Sequence, residues 1–144
     1  MPIDTAIVER YVGLPYVPGE FDCADLAQKV LLEMFDKRIA LPTDRRRPTE
    51  MRQMARSVWA WTPLVARERK LDLTIHGFVR DGDGVLLAIG EIPLHVGIAF
   101  WLGSAGAEEL YVLHNDRECG SSVLTRWRDL PGAGFNVAGV FEWI

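Results

Sequence analysis

The chain is poor in the residues that staple or metallate small proteins: its 144 residues include 2 cysteines and 3 histidines. Two cysteines do not make a disulfide framework. Pairing of Cys23 with Cys119 stays open on sequence grounds, while a reduced, cytosolic origin favours two thiols. The scattered cysteines and histidines lack the paired close spacing of a zinc site. No glycine-rich phosphate loop appears, and neither metal nor cofactor is expected. No apolar run approaches the ~20 residues of a membrane span. Met1-Pro2-Ile3-Asp4 lacks a basic stretch followed by an apolar one, so no secretory signal is expected and the site of synthesis reads as cytoplasmic. Repeats and low-complexity tracts are also missing.

What remains is the composition of an ordinary globular protein, 49% hydrophobic and 25% charged, read as a single domain over residues 1–144. A net charge of -4 and a pI near 5.4 argue against a nucleic-acid surface. The one basic cluster, Arg45-Arg46-Arg47, reads as a solvated loop. Asp81-Gly82-Asp83-Gly84 superficially suggests a calcium loop, but apolar Val85-Leu86-Leu87 follows where further oxygen ligands are needed. It reads as a turn leading into a strand.

Residues 4–12 are expected to form a short amphipathic helix capped by Asp4. Gly13, Pro15 and Pro18 keep residues 13–21 irregular. The clearest helix spans 23–36, with Asp22 as its cap and an apolar stripe containing Leu26, Val30 and Leu31. Residues 40–48 read as a loop and 49–61 as another helix, while 62–80 mix helical and strand-like fragments. Strands are expected at 84–89, 95–101, 109–114, 121–125 and 137–143, with one helical turn near 126–130. Helices first and consecutive strands later predict an α+β fold with N-terminal helices packed on a small antiparallel sheet.

Chemistry concentrates at a few positions. Cys23 opens the best helix, where unpaired backbone N–H groups and the helix dipole favour a thiolate. Asp22 opposes that effect, so a histidine is needed to complete the activation. His95 heads a strand and shares a face with Gly97, Ala99 and Trp101, and the small Gly97 and Ala99 leave room for another group. It is placed to take the thiol proton and return it to a leaving amine. His114 sits on the next strand, close enough to orient that base, with Asn115 and Asp116 as rivals for the role. Tyr16 lies upstream of the cysteine, with its hydroxyl a candidate for binding substrate or oxyanion. His76 reads as structural.

Gly13-Leu14-Pro15-Tyr16, Asp22-Cys23-Ala24-Asp25-Leu26, Gly82-Asp83, His95-Val96-Gly97-Ile98 and His114 together resemble the NlpC/P60 family of papain-like cysteine peptidases. The resemblance implies a papain-like fold and cleavage of peptide bonds in peptidoglycan stem peptides, of the γ-D-glutamyl–diamino acid type, through a thioester. It implies Cys23 as nucleophile, His95 as base and acid, and His114 as its orienter, with Tyr16, Asp22, Ala24 and Asp25 lining the substrate site. Ala24-Asp25 stands where the family has Ser-Gly. A short version without wall-binding repeats looks most like phage or prophage tail modules. That points to other tail proteins as partners and to action in the periplasm during DNA delivery. Two alternatives accompany this expectation: a tail assembly or interaction protein that keeps the fold without the chemistry, and an amidase or acyltransferase using the same thiol.

Overall fold

Helix α2, Cys23–Phe35, forms where the pattern places it, and its start is fastened by a capping box. The Asp22 carboxylate accepts the Ala24 and Asp25 N–H groups, while Asp25 accepts the Asp22 N–H. Leu26, Ala27, Val30 and Leu31 form its buried face. The computed structural model describes residues 3–39, 41, 66–69 and 78–144. The predicted helix at 49–61, the 40–48 loop (apart from residue 41) and His76 lie outside them.

Against α2 lies a six-stranded antiparallel sheet: β1 Ala66–Glu68, β2 Gly84–Ile89, β3 Ile92–Leu102, β4 Glu109–Asp116, β5 Ser121–Arg126 and β6 Asn136–Trp143. The strand order is β1-β6-β2-β3-β4-β5, so the C-terminal strand inserts between β1 and β2. Strand β2, Gly-Val-Leu-Leu-Ala-Ile, is apolar throughout because it is central and covered on both faces. On β3, Ile98, Phe100 and Leu102 join Leu26, Val30 and Leu31 in the core under α2. Ala99, together with Val112 of β4, belongs to a second core on the opposite face, with Val85, Leu130, Phe135 and Val140. Two 3₁₀ turns, Trp127–Asp129 and Pro131–Ala133, connect β5 to β6; the first is the single turn expected near 126–130.

This architecture corrects the predicted fold class. The papain-like arrangement of several N-terminal helices on a small sheet is not what forms. The sheet dominates the described residues, and α2 is the one substantial helix among them. The first helix, α1, is limited to Thr5–Glu9, capped by Asp4 as expected. It stops early because the chain is drawn onto the sheet. Ser122 donates its hydroxyl proton to the Tyr11 carbonyl and accepts the Leu14 N–H, and the Gly13 N–H donates to the Ser122 carbonyl at 2.9 Å. The strands also outrun their predicted ends, β3 by starting at Ile92 and β4 by reaching Asp116, since each hairpin partner keeps the ladder going.

Two local features shape the middle of the sheet. The β2–β3 register runs Leu87↔His95 and then Ala88↔Pro93, so β3 carries a bulge immediately before His95. Two residues further on, Gly97 faces His114 across the β3–β4 ladder. A Cβ at Gly97 would lie 2.5 Å from Val112 Cγ1, 3.0 Å from the Leu113 carbonyl oxygen and 3.1 Å from His114 Cβ. The room that small residues leave beside His95 is therefore taken up by β4 itself.

Gly97→Ala should force β3 and β4 apart at this point. The expected loss is about 1–3 kcal/mol by analogy with overpacked cores, read as a lower urea midpoint. An unchanged midpoint would show that the close approach is dispensable.

Candidate functional site

The bulge, Gly97 and the ladder bring two imidazoles into contact. His95 Nε2 and His114 Nδ1 are 2.8 Å apart, and His114 Nε2 lies 2.9 Å from Thr125 Oγ1. Thr125 pairs with Val112, so it stands diagonally to His114 on the same sheet face. Phe135, arriving just before β6, completes the cluster. Its ring stacks on His95 with centroids 5.2 Å apart and meets His114 edge-on. Both histidines are buried, at 6% and 1% exposure.

Burial keeps both rings neutral. Desolvation, reinforced by the neighbouring His114, pushes His95 down to about 3. Desolvation also pushes His114 down to about 4, although the Asp116 carboxylate pulls the other way. Two neutral rings and a hydroxyl can be ordered in two senses. In one, His95 Nε2–H donates to His114 Nδ1 and His114 Nε2–H donates to Thr125, leaving His95 Nδ1 as a base. In the other, Thr125 donates to His114 and His114 to His95, and His95 Nδ1 carries the proton. Only the first arrangement can accept a proton from a nucleophile.

No family model, curated protein or solved structure matches the chain. Its functional reading rests on residues and geometry.

Among the three rivals for the residue beside His95, the structure brings up His114. Asn115 and Asp116 are engaged elsewhere. Asn115 points to the other side of β4, where its Nδ2 donates to the carbonyls of Phe21 and Asp22 at 3.1 and 3.4 Å. Asp116 accepts the Glu118 N–H and the Cys119 thiol at the β4–β5 turn. That hydrogen bond is the leading reason the Cys119 thiol is raised above its ordinary value. Neither cysteine is in a disulfide; Cys23 is buried and Cys119 exposed.

Cys23 is the first residue of α2, as expected. The turn that carries it is fixed from three sides. Tyr16 donates its N–H to Gly120, Val17 and Phe21 bridge one another, and Asn115 holds the Phe21 and Asp22 carbonyls. Asp22 and Asp25 serve the capping box, and Ala24 is buried at 6% exposure. The thiol's helix and the imidazole pair thus hang from neighbouring residues of β4, Asn115 and His114, on opposite faces of the strand. The β3–β4 ladder ends at Gly97–His114, so the sheet opens beside His95.

Thr125 and Phe135 are functional candidates that sequence reasoning missed. Thr125 was within reach of pattern logic, because the hairpin register that sets Val123 opposite His114 also sets Thr125 on its diagonal. Phe135 carried no local signal. It reaches the rings through the two 3₁₀ turns, across 21 residues from His114.

The buried pair should make stability pH-dependent. Unfolded histidines titrate near ~6.5, while the folded rings sit at about 3 and about 4. The unfolded chain therefore binds protons that the folded chain refuses. Stability is fully present above pH ~6.5 and falls as the pH drops through about 4 to about 3. The melting temperature should decline through this window in wild type and decline less steeply in His114→Gln. Parallel slopes would contradict a neutral buried pair.

Proposed function

We propose that the chain is a cysteine hydrolase that cleaves peptide bonds of peptidoglycan stem peptides, of the γ-D-glutamyl–diamino acid type, as part of a phage or prophage tail acting in the periplasm. The observation that carries this reading is the 2.8 Å contact between His95 Nε2 and His114 Nδ1. It joins a base to an orienting group and leaves Nδ1 of His95 for the nucleophile. The substrate class comes from the likeness of the Asp22-Cys23, His95-Val96-Gly97-Ile98 and His114 motifs to NlpC/P60 peptidases.

The chemistry is acyl transfer. Cys23 gives its proton to His95 Nδ1, and the sulfur attacks the carbonyl carbon. The C–N bond breaks as His95 returns the proton to the departing amine. Water, deprotonated by His95, then hydrolyses the thioester. The imidazolium that forms is stabilised by the neighbouring thiolate and by His114 backed by Thr125. The dipole of α2 favours the thiolate at its first residue. This reading requires the thiol to meet His95 at the open end of the β3–β4 ladder, since α2 and the imidazoles approach β4 from opposite faces.

One observation favours a second reading, a tail assembly protein without catalysis. The Ala24 and Asp25 N–H groups, natural oxyanion donors at the start of α2, already donate to the Asp22 carboxylate. Stable capture of a tail partner, unaffected by Cys23→Ala, would support it over hydrolysis.

If Cys23 is an activated nucleophile, it should alkylate rapidly near pH ~6, well below the ~8.5 of an ordinary thiol. Cys119 should not, because its bond to Asp116 raises its pKa. His95→Ala should erase the difference, and Cys23→Ala should lower muropeptide cleavage by roughly 10³-fold or more. Undiminished cleavage by Cys23→Ala would end the hydrolase reading.

A further inference from the structure

The hydrogen-bonded chain from His95 through His114 to Thr125 ends on a hydroxyl, a group that donates or accepts with equal ease. Among the described residues, no carboxylate is bonded to either ring. Asp116, two residues along β4 from His114, accepts instead from the Glu118 N–H and the Cys119 thiol. Both senses of the chain hold the same number of protons and leave both rings neutral. Charge therefore does not choose between them, and the choice falls to the hydroxyl and to the rings themselves.

Two features favour one sense. Thr125 stands half-buried on the outermost strand β5, while His114 is enclosed. The hydroxyl proton therefore has solvent to turn to, and a lone pair is left for the His114 Nε2–H at 2.9 Å. With Nε2 of His114 protonated, its Nδ1 is bare and accepts the His95 Nε2–H at 2.8 Å. Both rings then carry their proton on Nε2, the form that a neutral histidine side chain ordinarily prefers. The opposite sense puts both protons on the less favoured Nδ1 and needs the Thr125 hydroxyl turned inward. Phe135, stacked on His95 and edge-on to His114, keeps the two rings in line.

We infer that Thr125 is the positioning residue that fixes the tautomer of the imidazole pair: by accepting the His114 Nε2–H, it leaves Nδ1 of His95 bare. It acts through His114, one ring removed from the base. The proton assignment stands on the geometry of the pair; its use by Cys23 rests on the hydrolase reading. Valine matches threonine in shape and removes the acceptor. The His114 Nε2–H would then face a methyl group, as an orphaned buried donor. Reversal of the chain relieves that contact. His114 releases its Nε2 proton to water, its Nδ1 takes the proton from His95 Nε2, and His95 Nδ1 takes one from water. His95 then has no bare Nδ1 for a thiol. Serine keeps the acceptor and should keep the original sense.

The test records proton–nitrogen correlation spectra of the histidine rings in the isotopically labelled full chain near pH ~7, where both rings are neutral. His76→Gln and His114→Gln assign the signals. In wild type, His95 and His114 should each show a protonated Nε2 and a bare Nδ1. Thr125→Val should move both protons to Nδ1, and Thr125→Ser should show the wild-type pattern. Protons on Nδ1 in wild type overturn the inference. So does an unchanged pattern in Thr125→Val, even with a lower melting temperature, since that is what a merely structural threonine would give. Alkylation of Cys23 in the same proteins separates the two proposals. It should slow by roughly tenfold or more in Thr125→Val, part of the effect of a general base, and recover in Thr125→Ser. Protons placed as expected, beside a Cys23 that alkylates at one rate in every protein, support the tautomer assignment and reject His95 as the base of Cys23. Fast alkylation that survives Thr125→Val together with unmoved protons rejects the role of Thr125 and leaves the hydrolase.

Discussion

Two neutral imidazoles 2.8 Å apart inside a sheet depend on how closely β3 and β4 approach at Gly97. Any side chain there would meet Val112 and the backbone of Leu113 before the rings could meet each other. Once the strands close, the rings lose water, and the neutral form wins because desolvation outweighs the pull of the Asp116 carboxylate on His114. Thr125 supplies the remaining hydrogen-bond partner at the far nitrogen of His114, and Phe135 seals the cluster from above. The bulge ahead of His95 belongs to the same device, since it sets which face of β3 the ring occupies.

A second set of bonds holds the cysteine's turn. Ser122, fully buried in β5, secures residues 11–14, and Asn115 of β4 secures the carbonyls just before α2. Asn115 does so under strain of a polar kind. Its Oδ1 is the one buried side-chain polar atom among the described residues with no hydrogen-bond partner. Such a group costs about 1–3 kcal/mol. Retaining it beside the Cys23 turn is easier to understand where placement of that turn matters more than stability.

Elements with strong short-range signals were legible in the sequence. The Asp22 cap and the apolar stripe of α2 fall where expected, because capping and helical periodicity are decided within a few residues. Strands β2 to β6 are found near their predicted positions for the same reason. The balance of the fold was not legible. Nothing local in residues 4–12 says that Ser122, more than a hundred residues away, will end α1 early. Nothing local in β6 says that it will slot between β1 and β2. Those outcomes turned an expected layer of helices on a small sheet into a dominant sheet with one substantial helix.

For the site, the sequence by itself determined the chemistry at hand: a cysteine at a helix start, a histidine on each of two neighbouring strands, and a glycine two residues after the first histidine. Residue type and strand alternation are enough for that, since they depend only on neighbours along the chain. Tertiary structure alone decided which of His114, Asn115 and Asp116 meets His95, because a one-residue step along β4 reverses the face of the sheet. It alone added Phe135 and left both rings neutral. Desolvation is a property of everything packed around a group, and no stretch of sequence contains it.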